Sequence, residues 1–249
     1  MEGTAVRGRL TWQTATVTKI IPETPRTSTI VFEVPDWPGH RAGQHLDVRL
    51  TAEDGYRAER SYSIASAPGE PVAITVERLD YGEVSPYLTE ELQPGDAIEL
   101  RGPIGGYFVW DPVTDHEPLL LAAGGSGVVP LRAILRNRER TGSTASARLL
   151  YSSRSLADVI YREEFERPDP GLDVVYTLTR SQPPGWRGRA GRVDDALLAE
   201  VAWPAGQNPL AFVCGPTSFV EAVAEGLVGL GYPQARVKTE RFGATGGRQ

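Results

Sequence analysis

The 249-residue sequence contains a single cysteine, Cys214. An intrachain disulfide is therefore excluded, as is a Cys₄ iron–sulfur cluster or zinc site built from this chain alone. The histidines, His40, His45 and His116, are scattered among turn residues, and no metal site is expected. Lysine is nearly absent, with only Lys19 and Lys238, so almost all basic charge is arginine. With 26 basic and 32 acidic residues the net charge is −6, which argues against nucleic-acid binding. Long apolar runs are also missing. The uncharged stretch Pro118 to Leu131 is interrupted by Gly124, Gly125 and Gly127 and is too short to span a bilayer. Met1 to Leu10 has no apolar region of signal-peptide type, so a cytoplasmic protein without a membrane partner is expected.

What remains is a globular composition rich in turn formers, with two halves of different grammar. Up to about residue 112, short β-favouring runs recur: Leu10–Ile20, Thr29–Val34, His45–Leu50, Arg60–Ala65, Val72–Arg78 and Ala97–Arg101. Clusters such as Pro35-Asp36-Trp37-Pro38-Gly39 and Pro94-Gly95-Asp96 separate them. Six such strands predict an antiparallel barrel or sandwich. One helix interrupts them, with Ser85 expected as N-cap, Pro86 at the first helical position and Tyr87–Leu92 following.

From residue 113 to 249 strands alternate with helices, which predicts a parallel sheet covered on both faces. The expected strands are Leu119–Ala123, Arg148–Ser152, Leu172–Leu178, Leu210–Cys214 and Arg236–Phe242, giving a five-stranded sheet. The expected helices begin with Val128, Leu131, Ile134 and Leu135 at helical spacing, then Val159–Phe165, Asp194–Val201 and Ser218–Leu230. Residues 1–112 hold 10 basic and 17 acidic groups, and residues 113–249 hold 16 and 15. The second half is thus the better host for an anion.

Gly124-Gly125-Ser126-Gly127-Val128-Val129-Pro130 lies between a buried strand and a helix. Glycines there admit a phosphate close to the backbone, and the helix start offers free N–H groups. A plain strand–helix turn has the same local sequence, and the ordinary G-x-G-x-x-G pattern fails at Pro130. Ligands of open parallel sheets sit beyond the carboxyl ends of the strands. Arg154, Thr179, Arg180 and Arg192 fall at or just after such ends. Hydroxyls and arginines where an acid would hold a ribose suit a 2′-phosphate, hence NADPH rather than NADH. Each is otherwise an ordinary solvated group.

In the first half, Arg60-Ser61-Tyr62-Ser63 places Arg60 and Tyr62 on one strand face. That pair can hold a phosphate and stack a planar heterocycle, or form a simple cation–π contact. Gly82-Glu83-Val84-Ser85 opens a helix and either cradles an anion or merely caps it.

These segments, in this order, together with Gly102-Pro103-Ile104-Gly105, Cys214-Gly215-Pro216 and Glu240-Arg241-Phe242, resemble the ferredoxin–NADP reductase superfamily from about Trp12 to Phe242. The resemblance implies an FAD-binding Greek-key barrel followed by an NADP-binding α/β domain. It implies that Arg60 binds the FAD pyrophosphate, that Ser61 is among the cofactor-binding residues, that Tyr62 stacks on the isoalloxazine, and that Ser63 hydrogen-bonds near flavin N5. Val76, Glu77 and Arg78 would line the flavin, and Gly82, Glu83, Val84 and Ser85 would hold the pyrophosphate. Gly125, Ser126, Gly127 and Val128 would receive the nicotinamide dinucleotide, with Gly215 and Pro216 beside it and Arg154, Thr179, Arg180 and Arg192 on the 2′-phosphate. Ser63, Cys214 and Glu240 would act at the reacting rings. Phe242 stands near the place of a flavin-covering aromatic, although the tail from Gly243 to Gln249 follows it.

Read this way, the protein is a monomeric NADPH oxidoreductase. It passes hydride to FAD and then electrons to a separate ferredoxin or flavodoxin, or into an oxygenase system. A free-flavin or ferric-chelate reductase and a non-catalytic nucleotide-binding interaction subunit are the alternatives. Cys214 is equally readable as a small buried residue and Glu240 as a surface carboxylate.

Overall fold

The computed structural model describes residues 10–242. The tail beginning at Gly243 lies outside them. The first part contains β1 (Gln13–Thr24), β2 (Thr27–Glu33), β3 (His45–Thr51), β4 (Arg57–Ser63), β5 (Val72–Glu77), a helical segment α1 (Val84–Pro86) that widens over Tyr87–Glu91, and β6 (Ala97–Ile104). Its strands pair antiparallel in the order β4-β3-β6-β1-β2-β5. A single bridge between Ile64 and Ile74 brings the two edges of the sheet together. Alternation puts Ile30, Phe32, Leu46, Val48, Ile74 and Leu100 inside, each essentially unexposed. Burying a side chain of this size contributes roughly 1.5–3 kcal/mol. β1 runs past its expected end because register shifts between Val17 and Lys19 and between Pro22 and Thr24 let the strand bend and continue.

The second part contains β7 (Leu119–Gly124), α2 (Val128–Arg140), β8 (Ala147–Ser153), α3 (Arg162–Phe165), β9 (Leu172–Leu178), β10 (Arg189–Ala190), α4 (Asp195–Val201), β11 (Leu210–Pro216), α5 (Thr217–Gly229) and β12 (Val237–Phe242). The sheet is parallel, ordered β10-β9-β8-β7-β11-β12. It has six strands where five were expected. The sixth, β10, is two exposed residues long and carries no apolar alternation to betray it.

β7 shows how the sheet is covered. Leu119 and Leu121 face one way, against Leu131 and Ile134 of α2. Leu120 and Ala122 face the other, against Leu198 of α4 and Val220, Val223 and Leu227 of α5. The α2 face also takes in Ala42, Ala65, Ala73, Phe108 and Trp110 from the barrel half, so one apolar core is shared across the junction. Phe108 meets Phe212 edge to face at 5.1 Å.

Three local expectations change. Ser85 does not cap α1: Glu83 precedes the helix, Ser85 lies inside it, and the Ser85 hydroxyl instead accepts the Leu79 N–H at 3.1 Å. The helix expected over Val159–Phe165 is only Arg162–Phe165, because Tyr161 takes a left-handed conformation (φ 59°) that stops helix formation before it. Asp194 is the cap of α4 rather than its first residue, accepting the Leu197 N–H at 2.8 Å.

Candidate active site

Ser63 ends β4 on the barrel, and its hydroxyl donates to Glu240 Oε1 on β12 at 3.2 Å. The two residues are 177 positions apart in the chain, so this bond spans the two halves. Glu240 is the register partner of Cys214 on β11, and Cys214 is in turn paired with Ala123 near the end of β7. A hydroxyl, a carboxyl and a thiol therefore converge where the barrel meets the carboxyl edge of the parallel sheet. Burial raises the pKa of Glu240, and donation from Ser63 opposes that shift only in part. Burial, reinforced by the nearby Glu240 carboxyl, pushes the Cys214 thiol well above its ordinary range. Cys214 is wholly unexposed and neutral, which suits it to packing and positioning and not to nucleophilic attack. Glu240 is half-buried and bonded to Ser63, which distinguishes it from a freely solvated surface carboxylate.

The glycine loop meets this cluster directly. A Cβ on Gly127 would overlap the Cys214 carbonyl and stand 2.8 Å from the Gly215 nitrogen. The start of α2 thus packs onto the end of β11 with no room for a side chain. Gly125 is required for a different reason: its surroundings are open, but its φ of +55° is left-handed. Ser126 is half-buried between them, and Val128 is buried in the shared core.

On β4, Arg60 is exposed. It donates to its neighbour's carbonyl, Glu59 O, at 2.7 Å, and it makes no ion pair among the described residues. Tyr62 is half-buried against the barrel core, which raises its hydroxyl pKa. Period two sends Ser61 to the other face, where its hydroxyl donates to Asp47 at 2.6 Å. The Ser61 side chain therefore lies apart from Arg60 and Tyr62. On β5, the Val76 side chain is fully buried within the barrel core. Arg78 is committed to ion pairs with Glu90 and Asp80, and Glu77 is half-buried.

Beside α1, Val84 and Ser85 are buried, Gly82 N–H bonds to Leu79 O at 3.0 Å, and Glu83 accepts from the Tyr56 hydroxyl at 3.1 Å. Tyr56 and the fully exposed Tyr81 flank this loop, and sequence reasoning missed both. So was His45, which pairs with Ser63 across β3 and β4; only the strand register would have revealed it.

At the far edge of the sheet, Arg154, Arg180 and Arg192 follow the ends of β8, β9 and β10. Arg180 N–H bonds to Arg154 O at 2.9 Å, and Thr179 Oγ1 donates to Ser153 O at 3.2 Å. Gly191 N–H bonds to Leu178 O at 2.9 Å, which holds the residue before Arg192 against β9. All three arginines are exposed, and none is in an ion pair among the described residues. Phe242 is half-buried opposite Pro216. Among the described residues, no helix is long and apolar enough to cross a membrane.

An antiparallel barrel with an unpaired arginine beside a tyrosine, joined to a parallel sheet with a glycine-lined crevice, defines a two-domain dinucleotide-binding architecture. Residues 14–109 match the oxidoreductase FAD-binding domain family, and residues 121–225 match the oxidoreductase NAD-binding domain family. The chain is 36% identical to ferredoxin–NADP reductase B of Sorangium cellulosum, over 92% of this chain and 96% of that protein. It is 33% identical to the glycine betaine monooxygenase reductase subunit of Chromohalobacter salexigens over 91% of this chain, but spans only 63% of that relative. The FAD/NAD-binding domain of nitric oxide dioxygenase from Vibrio cholerae has the same fold, with a TM-score of 0.83 at 25% identity, covering 94% of this chain and all of that one. The protein belongs to the ferredoxin–NADP reductase superfamily of FAD- and pyridine-nucleotide-dependent oxidoreductases.

Proposed function

We propose that this protein takes reducing equivalents from NADPH onto a barrel-held FAD and delivers them singly to a separate ferredoxin-like protein, including one that serves an oxygenase. FAD, when bound, supplies the exchange between a two-electron donor and one-electron acceptors. The chain's own groups place and insulate it. Arg60, free of any acidic partner, would hold the pyrophosphate, with the Gly82–Ser85 backbone beside it. Tyr62 would lie against the flavin ring. Gly125 to Val128, Gly215 and Pro216 would seat the nicotinamide half of the donor. Ser63 and Glu240 would hold a proton at the flavin edge, and Cys214 would pack beside the nicotinamide.

The observation that supports this reading is the Ser63–Glu240 bond, a hydroxyl–carboxyl pair that spans the junction of the two halves. Preference for NADPH is supported by the three exposed arginines at adjacent strand ends. A ferredoxin-like acceptor is supported by the relatives' names and by the single cysteine, which leaves this chain without a cluster of its own. The test is the absorption spectrum of the purified protein, followed by anaerobic titration with NADPH and NADH. Stoichiometric FAD that bleaches with NADPH at lower concentration than with NADH is expected. A colourless protein that instead turns over added free flavin overturns it.

A further inference from the structure

Tyr161 is one of the residues through which the α/β half contacts the barrel, and it lies outside the residues assigned to the dinucleotide sites. It stands in a left-handed conformation between β8 and α3, where a bulky aromatic is uncommon. Its ring is buried, and its hydroxyl is hydrogen-bonded to Thr75 of β5. Thr75 and Thr29 are 2.8 Å apart, and Thr29 donates to Glu23 at 2.7 Å. Because the single Thr29 proton goes to Glu23, Thr29 accepts from Thr75, and Thr75 must then accept from Tyr161. The chain of bonds is thus directional, from the α/β half to a carboxylate of the barrel.

Arg132 of α2 completes the contact. Its guanidinium lies 4.3 Å from the Tyr161 ring centroid, donates to Ala65 O at 3.1 Å, and is held by Glu164 at 2.7 Å. Ala65 is two residues beyond Ser63, and α2 is the helix that the glycine loop begins. On the other side, Ile160 N–H bonds to the hydroxyl of Tyr151, the β8 residue just before Ser152, Ser153 and Arg154.

We propose that Tyr161, with Arg132 stacked on it, is a positioning residue that fixes the nucleotide-binding half relative to the Ser63 end of β4, and so sets the approach of donor to flavin. The proposal rests on the oxidoreductase reading above. Tyr161→Phe removes the hydroxyl and keeps the ring, and Thr75→Val removes the same link from the barrel side. In both variants the limiting rate of FAD reduction at saturating NADPH is expected to fall at least fivefold, while the dissociation constants for FAD and NADPH change less than twofold. A merely structural role would lower thermal stability and leave that limiting rate alone. A limiting rate within twofold of the parent in both variants overturns the proposal.

A second measurement is independent of turnover. Spin labels at Glu53→Cys and Glu225→Cys, both exposed and on opposite halves, report the inter-half distance by electron–electron resonance. A broader distance distribution in the variants than in the parent is expected. If the parent itself is reduced by neither nucleotide, the functional reading fails. The distances then decide alone, and an unchanged distribution in both variants overturns the positioning role.

Discussion

Gly125 and Gly127 are two residues apart and cannot be replaced for different reasons, which makes the pair a quantitative test. At Gly125 an added methyl meets nothing within 4 Å, so alanine suffers only from the left-handed φ of +55°. That costs about 1–2 kcal/mol. At Gly127 the backbone is helical (φ −60°), so conformation is not at issue. The methyl instead collides with the Cys214 carbonyl and stands 2.8 Å from the Gly215 nitrogen. Both obstacles are backbone of a central strand, which cannot rotate aside as a side chain would. The start of α2 must lift from β11, an overpacking cost at the upper end of the usual range, about 3 kcal/mol. For a protein of this size each kcal/mol lowers Tm by roughly 2–4 °C. Gly127→Ala should therefore melt roughly 6–12 °C below the parent and Gly125→Ala clearly less. Lifting α2 also disturbs the crevice, so Gly127→Ala should bind NADPH more weakly even well below its Tm. Differential scanning calorimetry and nucleotide titration check both. If Gly127→Ala is no less stable than Gly125→Ala, the close approach of α2 to β11 is wrong.

Arg180→Ala should raise KM for NADPH and hardly change that for NADH; equal effects in steady-state assays with both nucleotides would remove the 2′-phosphate role. Glu240 has a folded pKa above its ordinary 4.5, so it favours folding fully below that value and loses this contribution as pH rises through the folded pKa. Urea unfolding across pH should accordingly show Glu240→Gln gaining stability on the parent as pH rises above about 5, with no gain near pH 4. His40 accepts from Trp37 Nε1 at 3.2 Å, which leaves its other nitrogen to donate to Ser66 O at 3.0 Å, and burial holds its pKa below 6.5. Its contribution is therefore present above pH 6.5 and lost as pH falls through the folded value. The drop in unfolding free energy from pH 7 to pH 5 should be smaller in His40→Gln.

Most of the architecture was legible because it rests on local periodicity. Alternation in β2 and β3, the apolar run of β7 and the helical spacing of Val128, Leu131 and Ile134 each follow from burial on one face or two. The misses share a physical cause. β10 is paired through two exposed residues, so nothing in its side chains distinguishes it from loop. The helix before Arg162 fails because Tyr161 is held in a left-handed conformation with its buried hydroxyl bonded to Thr75, 86 residues away. Strand alternation, which a motif does not express, sends the Ser61 hydroxyl to Asp47 and the Val76 side chain into the barrel core. The Ser63–Glu240 bond required knowing which strand ends meet, and that is a property of the assembled halves.

The sheet order explains why the meeting point falls where it does. From β7 the chain moves outward through β8, β9 and β10, then returns to place β11 and β12 on the other side of β7. The helices leaving β7 and β11 therefore cover opposite faces: α2 packs with Leu119 and Leu121, and α5 with Leu120 and Val213. Such a reversal opens a crevice beyond the carboxyl ends of the two strands, the preferred ligand position in open parallel sheets. Here the crevice is floored by Gly127 against Cys214, so a ligand seated there sits close to the backbone and within the reach of β12. The carboxyl on β12 that meets Ser63 of the barrel is Glu240, the register partner of Cys214. The arginine group lies on the opposite limb of the sheet, beyond β8 to β10. On the proposed reading, one extended dinucleotide would be gripped at its phosphorylated end on one limb while its other end reached the Ser63–Glu240 pair on the other. A compact ligand would occupy only one of the two.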